Sequence, residues 1–191
     1  MNEDIESWRF SNAAQVTAIC LMSNHTHEVL KINSQQLFSK HMRRHHSRYG
    51  MLFNRESNRC GKVAQDRPKT CLIEDISHQM RAIFYIDANP IRAGIVQDPA
   101  QYRWSTYKLY AFGKKEPWMR NISIPDWYKR LGRTAADRQR AYRRLFAKYL
   151  KAEGLRKQYF HQKLFYGSHL WVRKQESLEK QWRMEHDPTT R

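Results

Sequence analysis

The longest strand-like segment of the chain is VTAICLMSNHTHEVLKI, residues 16–32, and it constrains the fold more than any other stretch. It begins with β-branched and apolar residues, which is typical of a strand, and we expect the strand to end near the histidines. A shorter strand is predicted at KTCLI, residues 69–73. Because helical patterns lie between and after these segments, the sequence predicts an α+β fold.

Three segments carry the start and stop signals of helices. Residues 33–50 open with an Asn-Ser pair and close with basic residues before Gly50. Residues 74–90 open with two acidic residues and close at a proline, and residues 134–154 run from a threonine to a glycine. Each segment predicts one helix, since Ser, Thr and Asp cap helix N-termini while Gly and Pro end helices.

The second half of the chain is more helical than the first. We predict an α+β domain at residues 1–115 and a helical, basic extension at residues 116–191. In the extension, apolar residues at helical spacing form one stripe, with arginines and lysines elsewhere. This pattern favours a helix that docks its apolar side on the core and presents its basic side outward.

The charge of the chain points to a polyanionic partner. Lys and Arg total 35 against 18 Asp and Glu, which gives a formal net charge of +17. Basic groups release condensed counterions when they neutralise phosphates, so nucleic acid is the first candidate. The longest apolar stretch, AICLM, is far shorter than the about 20 residues that span a bilayer, and the acidic N-terminus does not resemble a signal peptide. We therefore expect a cytoplasmic protein without a membrane partner.

Two histidines, His25 and His27, stand one residue apart in the strand-like segment. Alternate side chains of a strand share a face, so the pair is placed to chelate one metal ion. A pair of hydrogen-bonded surface histidines fits the same pattern, and the two residues alone do not decide between these interpretations.

The predicted helix at residues 74–90 carries two stripes. The first is apolar and is expected to be buried: Ile76, Met80, Ile83 and Phe84. The second is polar: His78, Arg81, Tyr85 and Asn89. Tyr85 is interpretable as a half-buried aromatic residue and Asn89 as a helix cap, because Asn before Pro commonly begins a new helix. Together with the histidine pair, they also describe a metal site with a tyrosine nucleophile.

Three blocks of the sequence resemble a known family: LMSNHTHEVL, CLIEDISHQMRAIFYIDANPIRAGIV and YRWSTYKLYAFG. They are similar to blocks of the single-tyrosine HUH transposases, in particular the branch of REP-associated tyrosine transposases, and they cover about residues 16–112. The resemblance implies an antiparallel sheet flanked by helices, the ferredoxin-like palm of HUH proteins. It also implies nicking and rejoining of single-stranded DNA beside a hairpin, through a 5′-phosphotyrosine intermediate.

Carried over residue by residue, the resemblance implies that His25 and His27 bind a divalent ion and that Tyr85 attacks the DNA. Asn89 takes the position of the third ligand, which the family carries on a helix. The implied ion is Mg²⁺ or Mn²⁺, and imidazole ligands suit manganese better because magnesium prefers oxygen ligands.

Basic residues around these blocks are the expected DNA contacts: Arg43, Arg44, Arg67, Lys69, Arg81, Arg92 and Arg103. Aromatic residues at positions 102–112 alternate with basic ones, which suits stacking on unpaired bases, although Trp104 and Tyr107 fit a core role equally well. The resembled family contains both monomers and dimers, and the sequence does not decide between them.

The chain departs from the family before the histidine segment. Only fifteen residues precede residue 16, where family members have a strand and a helix, so the first strand is expected to be missing. A catalytically inactive relative that only binds DNA hairpins is therefore the main alternative. A histidine metal-binding module unrelated to DNA is a third possibility, which the charge disfavours.

Overall fold

The computed structural model describes residues 14–64, 66–154 and 160–186. Its helices and strands, in chain order, are β1 (Ala14–Leu21), β2 (Thr26–Ile32), α1 (Gln35–Glu56), β3 (Leu72–Ile73), α2 (Ile76–Asp87), α3 (Asn89–Arg92), α4 (Tyr107–Phe112), α5 (Asp126–Lys129), α6 (Ala135–Glu153), β4 (Phe165–Tyr166) and α7 (His169–Glu185). Short 3-10 helices lie at Pro99–Gln101, Pro117–Met119 and Phe160–Gln162. A small antiparallel sheet combined with helices confirms the α+β class.

The segment predicted as one strand is a hairpin. β1 and β2 pair antiparallel, with Ala14 opposite Ile32 and Leu21 opposite Thr26. The backbone N–H of Met22 donates to the carbonyl of His25 at 2.8 Å and closes the turn. Polar residues between the two apolar runs reverse the chain here, because Ser and Asn favour turns. The question of a missing first strand concerns residues 1–13, which lie outside the described residues.

α2 lies against both strands of this hairpin. It begins where the Asp75 carboxylate accepts from the backbone N–H of His78 at 2.9 Å, and it ends just before Asn89 and Pro90, as predicted. Burial begins at Ala82 and continues to the end of the helix. The expectation that Ile76 is buried is wrong, since 53% of it is exposed in a first turn that the core does not cover.

Aromatic side chains dominate the core, which joins α2 to α4, α5 and α6. The buried rings of this cluster are Phe84, Tyr85, Tyr107, Tyr110, Trp127, Tyr128, Tyr142, Phe146 and Tyr149. They come from both sides of the predicted boundary at residues 115/116. Tyr107 is therefore a core residue, whereas Trp104 keeps 42% of its surface exposed.

Two predicted boundaries differ from the structure. α1 passes through Gly50 and ends at Glu56, because a helix interior tolerates one glycine at a cost of only about 1 kcal/mol. The extension, expected to be helical, contributes β4, which pairs in parallel with β3. No helix of the described residues combines the length and the apolar character needed to cross a membrane.

Candidate active site

The hairpin brings the two predicted histidines together. His25 lies in the turn and His27 in β2, and their Nε2 atoms are 3.1 Å apart. The Nδ1 atom of His25 lies 2.7 Å from Oδ1 of Asn24. Because an amide oxygen only accepts hydrogen bonds, this contact is a hydrogen bond in the tautomer that carries its proton on Nδ1 of His25, and in that neutral tautomer Nε2 presents a lone pair. A partner on the remote nitrogen in this way is typical of metal-binding histidines.

The spacing of the two nitrogens fits shared coordination of one ion. Metal–nitrogen bonds of about 2.1 Å place two ligands about 3.0 Å apart at a right angle and about 3.4 Å apart at a tetrahedral angle. The observed 3.1 Å lies within that range. The same separation also suits a hydrogen bond between the rings, so both interpretations of the pair agree with the distance.

Tyr85 projects from α2 toward the histidines. Its ring is perpendicular to that of His27, with 6.0 Å between the ring centroids. On another side it contacts Phe160, at 4.8 Å between centroids, and only 8% of the residue is exposed. Tyr85 is therefore buried between His27 and Phe160, which is a more enclosed position than that of a half-buried surface ring.

Arg92 joins Tyr85 to Asn89. Its guanidinium carbon lies 4.2 Å from the centre of the Tyr85 ring, and its Nη1 donates to the Tyr85 carbonyl at 2.6 Å. The same Nη1 lies 3.3 Å from Oδ1 of Asn89, while Nη2 donates to the hydroxyl of Tyr149 on α6 at 3.1 Å. Arg92, at the end of helix α3, thus lies over the ring of Tyr85, the candidate nucleophile.

Asn89 does not cap α3. The residue at the helix N-cap is Ala88, and Asn89 is 7% exposed with its oxygen directed to Arg92. Its Nδ2 has no hydrogen-bond partner among the described residues. One lone pair of Oδ1 remains for an ion, since a carbonyl oxygen has two. The donor set of two imidazoles and one amide oxygen fits a divalent metal.

Asp87, between Tyr85 and Asn89 in sequence, is fully buried and is not among the residues that the sequence pattern singles out. The hydroxyl of Tyr142 donates to its Oδ2. Burial raises the pKa of Asp87 to about 7, and the hydrogen bond from Tyr142 offsets part of that increase. Its signal in the sequence was an acidic residue directly after the apolar run AIFYI.

The other predicted DNA contacts lie in different places. Arg81 pairs with Glu153 at the end of α6, and Arg103 pairs with Glu116 at 3.1 Å and covers the Trp104 ring at 4.8 Å. Of the remaining five, Arg92 is half-buried, and the other four are exposed: Arg43 and Arg44 on α1, and Arg67 and Lys69 before β3. The contacts thus run from His25 to His27, from His27 to the Tyr85 ring, and from Tyr85 through Arg92 to Asn89.

A second cluster of possible ligands lies at the start of α2. Glu74, Asp75 and His78 place their ligand atoms within 4.8 Å of one another. Asp75 is the helix cap, and Glu74 accepts from the hydroxyl of Ser168 at 3.0 Å. These bonds account for the cluster as a link between α2 and the segment before α7.

Comparison of the chain with protein-family models, with curated proteins and with solved structures gives no match. Function is therefore inferred from the residues themselves: two paired imidazoles, a tyrosine whose ring contacts one of them, and an amide held beside that tyrosine. Imidazole and amide groups are ligand types for a divalent ion, and a tyrosine hydroxyl is a nucleophile type.

Proposed function

We propose that this protein nicks and rejoins single-stranded DNA at a tyrosine, as a single-tyrosine HUH transposase does. One observation carries the proposal: the ring of Tyr85 contacts His27, whose Nε2 lies 3.1 Å from that of His25. The antiparallel hairpin with α2 packed on it is the part of an HUH palm that would bear these residues.

The chemistry proceeds through a covalent link to DNA. Oη of Tyr85 attacks the phosphorus, the new P–O bond replaces the bond to the 3′ oxygen, and the phenolic proton is lost while the leaving oxygen gains one. A divalent ion held by His25 and His27, with Asn89 as third ligand, supplies polarisation of a non-bridging phosphate oxygen when bound. Attack by another 3′-hydroxyl reverses the step and joins strands without ATP, because the phosphotyrosine ester keeps the energy of the bond.

Exposed basic and aromatic groups supply the DNA contacts in this proposal. Arg43 and Arg44 are exposed on α1, and Arg67 and Lys69 are exposed before β3. Trp104 supplies a partly exposed aromatic ring in this proposal, beside Arg103, whose guanidinium lies over the ring and pairs with Glu116. Single-stranded DNA is bound by such combinations of a basic surface and aromatic faces.

A binding protein without catalysis is the second candidate. Tyr85 is only 8% exposed, and the oxygen of Asn89 already accepts from Arg92. In both cases the side chain contacts other protein groups, and these contacts leave little room for a phosphate or a metal ion. The same basic surface would then bind DNA hairpins without cutting them.

The deciding experiment is an adduct assay with 3′-labelled single-stranded DNA that carries a hairpin library. A 5′-phosphotyrosine link retains the 3′ fragment, so the label marks the covalent complex. We expect a labelled adduct with wild type in Mn²⁺ or Mg²⁺, and none with Tyr85→Phe, with His25→Ala, or after chelation of the metal. Tyr49→Phe is the matched control, because Tyr49 is a 54% exposed tyrosine on α1.

Three results would contradict the proposal in different ways. An adduct that persists in Tyr85→Phe assigns the nucleophile to another residue. Tight, salt-sensitive binding without an adduct in any metal supports the binding protein. Metal binding without any affinity for DNA supports the unrelated metal module.

A further inference from the structure

The side chain of Arg92 contacts several groups of the candidate site. Its guanidinium lies over the Tyr85 ring at 4.2 Å, and its nitrogens donate to the Tyr85 carbonyl, to Asn89 and to Tyr149. The planar fork of arginine allows these contacts at once, since its five N–H donors have fixed directions. A residue with these contacts restrains Tyr85 through both its ring and its backbone.

The position of Arg92 sets it apart from the exposed arginines. It is half-buried, and its Nε atom is buried without a partner among the described residues. The nitrogens Nη1 and Nη2 are already directed at protein oxygens at 2.6 Å and 3.1 Å. A phosphate contact by this side chain would require these bonds to break.

We propose that Arg92 is the positioning residue of the site: it fixes the Tyr85 ring against His27, directs the oxygen of Asn89, and acts within the protein instead of on DNA. This inference rests on the proposed function. It also assigns a purpose to α6, because the hydroxyl of Tyr149 holds the second guanidinium nitrogen from that helix. The extension thereby supports the nucleophile through Arg92.

Arg143 offers a matched control for this role. It is also half-buried, its guanidinium lies over the Phe112 ring at 5.0 Å, and it donates to the carbonyl of Ala111. The two arginines thus combine the same two kinds of contact, yet those of Arg143 involve α4 and not the site. Replacement of both by lysine keeps the charge and removes the planar fork.

The consequence for kinetics is specific. A displaced nucleophile slows the chemical step, and a misplacement of about 1 Å costs about 100-fold in rate, without weakening DNA binding. Arg92→Lys should therefore reduce the rate of adduct formation at saturating DNA about 100-fold, with the half-saturating DNA concentration changed by less than about 2-fold. Tyr149→Phe removes one of the Arg92 contacts and should give a smaller decrease in the same direction.

The experiment combines that kinetic comparison with a direct view of Tyr85. 3-Fluorotyrosine is placed at position 85, and its ¹⁹F resonance is recorded without DNA in wild type, Arg92→Lys, Tyr149→Phe and Arg143→Lys. We expect Arg92→Lys and Tyr149→Phe to shift or broaden the resonance and Arg143→Lys to leave both resonance and rate unchanged.

An unchanged resonance in Arg92→Lys would overturn the proposal, because the ring would then keep its place without the guanidinium. A raised half-saturating DNA concentration with an unchanged rate would also overturn it and return Arg92 to the DNA contacts. If wild type forms no adduct, the proposed function fails, while the ¹⁹F comparison still decides whether Arg92 positions Tyr85.

Discussion

At the residue scale, Asp87 is an ionisable side chain that is removed from water. It is fully buried in the core, and its Oδ1 has no hydrogen-bond partner among the described residues. Burial disfavours the charged carboxylate and raises its pKa to about 7 from an ordinary value of 3.8. The folded state therefore retains a proton on Asp87 at pH values where the unfolded chain has released it.

This difference predicts that the free energy of unfolding falls as pH rises. The stabilisation that comes from the raised pKa of Asp87 is fully present below about pH 4 and is lost progressively up to about pH 7, where Asp87 ionises in the folded state too. The expected loss is on the order of 4 kcal/mol across that window, since one pKa unit corresponds to about 1.4 kcal/mol. Denaturant unfolding of wild type and Asp87→Asn over this range measures it.

The asparagine variant isolates Asp87 from the other titrating groups. The side-chain oxygen of the introduced asparagine can still accept from Tyr142, but the side chain does not ionise. The free energy of unfolding of the variant, measured relative to that of wild type, should therefore rise as pH rises. A difference that stays constant between about pH 4 and about pH 7 would show that Asp87 keeps an ordinary pKa.

At the scale of elements, α6 links the extension to the site. It begins at a reciprocal capping box of Thr134 and Asp137 and ends at Gly154, as its sequence predicts. Its buried residues Tyr142 and Tyr149 donate to Asp87 and accept from Arg92, respectively. The position at which α6 begins and its rotation about its own axis therefore determine whether Tyr142 reaches Asp87 and Tyr149 reaches Arg92.

We predict that Thr134→Ala lowers the free energy of unfolding by about 1 kcal/mol, because the backbone N–H of Asp137 loses its acceptor in the first turn. Thermal or denaturant unfolding gives the value. Thr134→Ser is the control, since it keeps the hydroxyl and should stay close to wild type. Equal stability of the alanine and serine variants would argue against any role for the cap.

At the scale of the whole molecule, charge is distributed unevenly between helices. The chain carries a formal charge of +17, yet α1 has five basic residues and one acidic residue, whereas α7 has four basic and three acidic. A surface of one sign raises the local concentration of a polyanion more than a mixed one. We therefore expect α1 to contribute more to DNA binding than α7.

Salt dependence of binding tests this expectation. The logarithm of the affinity for single-stranded DNA falls with the logarithm of salt concentration with a slope of about −0.7 for each phosphate neutralised. Replacing Arg43 and Arg44 together by Gln should make the slope shallower by about 1.4, because two phosphate contacts are lost. Fluorescence anisotropy across a salt series provides the slope.

The matched control replaces Arg173 and Lys174 of α7 by Gln, which removes the same net charge. If the slope depends on net charge alone, the two double variants will behave alike, and the assignment of contacts to α1 will be wrong. An affinity that does not change with salt would count against any phosphate-binding role for this chain.

Local sequence signals determined much of this protein. The caps at Asp75 and Thr134 and the stops at Pro90 and Gly154 gave the bounds of α2 and α6, because capping depends on residues three or four positions away. The alternation of a strand predicted that His25 and His27 lie together; they do, but His25 lies in the turn of the hairpin and only His27 lies in a strand. The assignment of a nucleophile and a metal to these residues stays a prediction, and it came from the resemblance.

Tertiary structure alone decided the rest. The pairing of β3 with β4 joins Leu72 to Phe165, and the contact of Arg92 with Tyr149 spans 57 residues, so no local pattern encodes either. The same holds for the burial of Asp87, which depends on where Tyr142 arrives from the extension. Hydrophobic periodicity shows which face a helix buries, but the partner of that face is fixed only when the whole core packs.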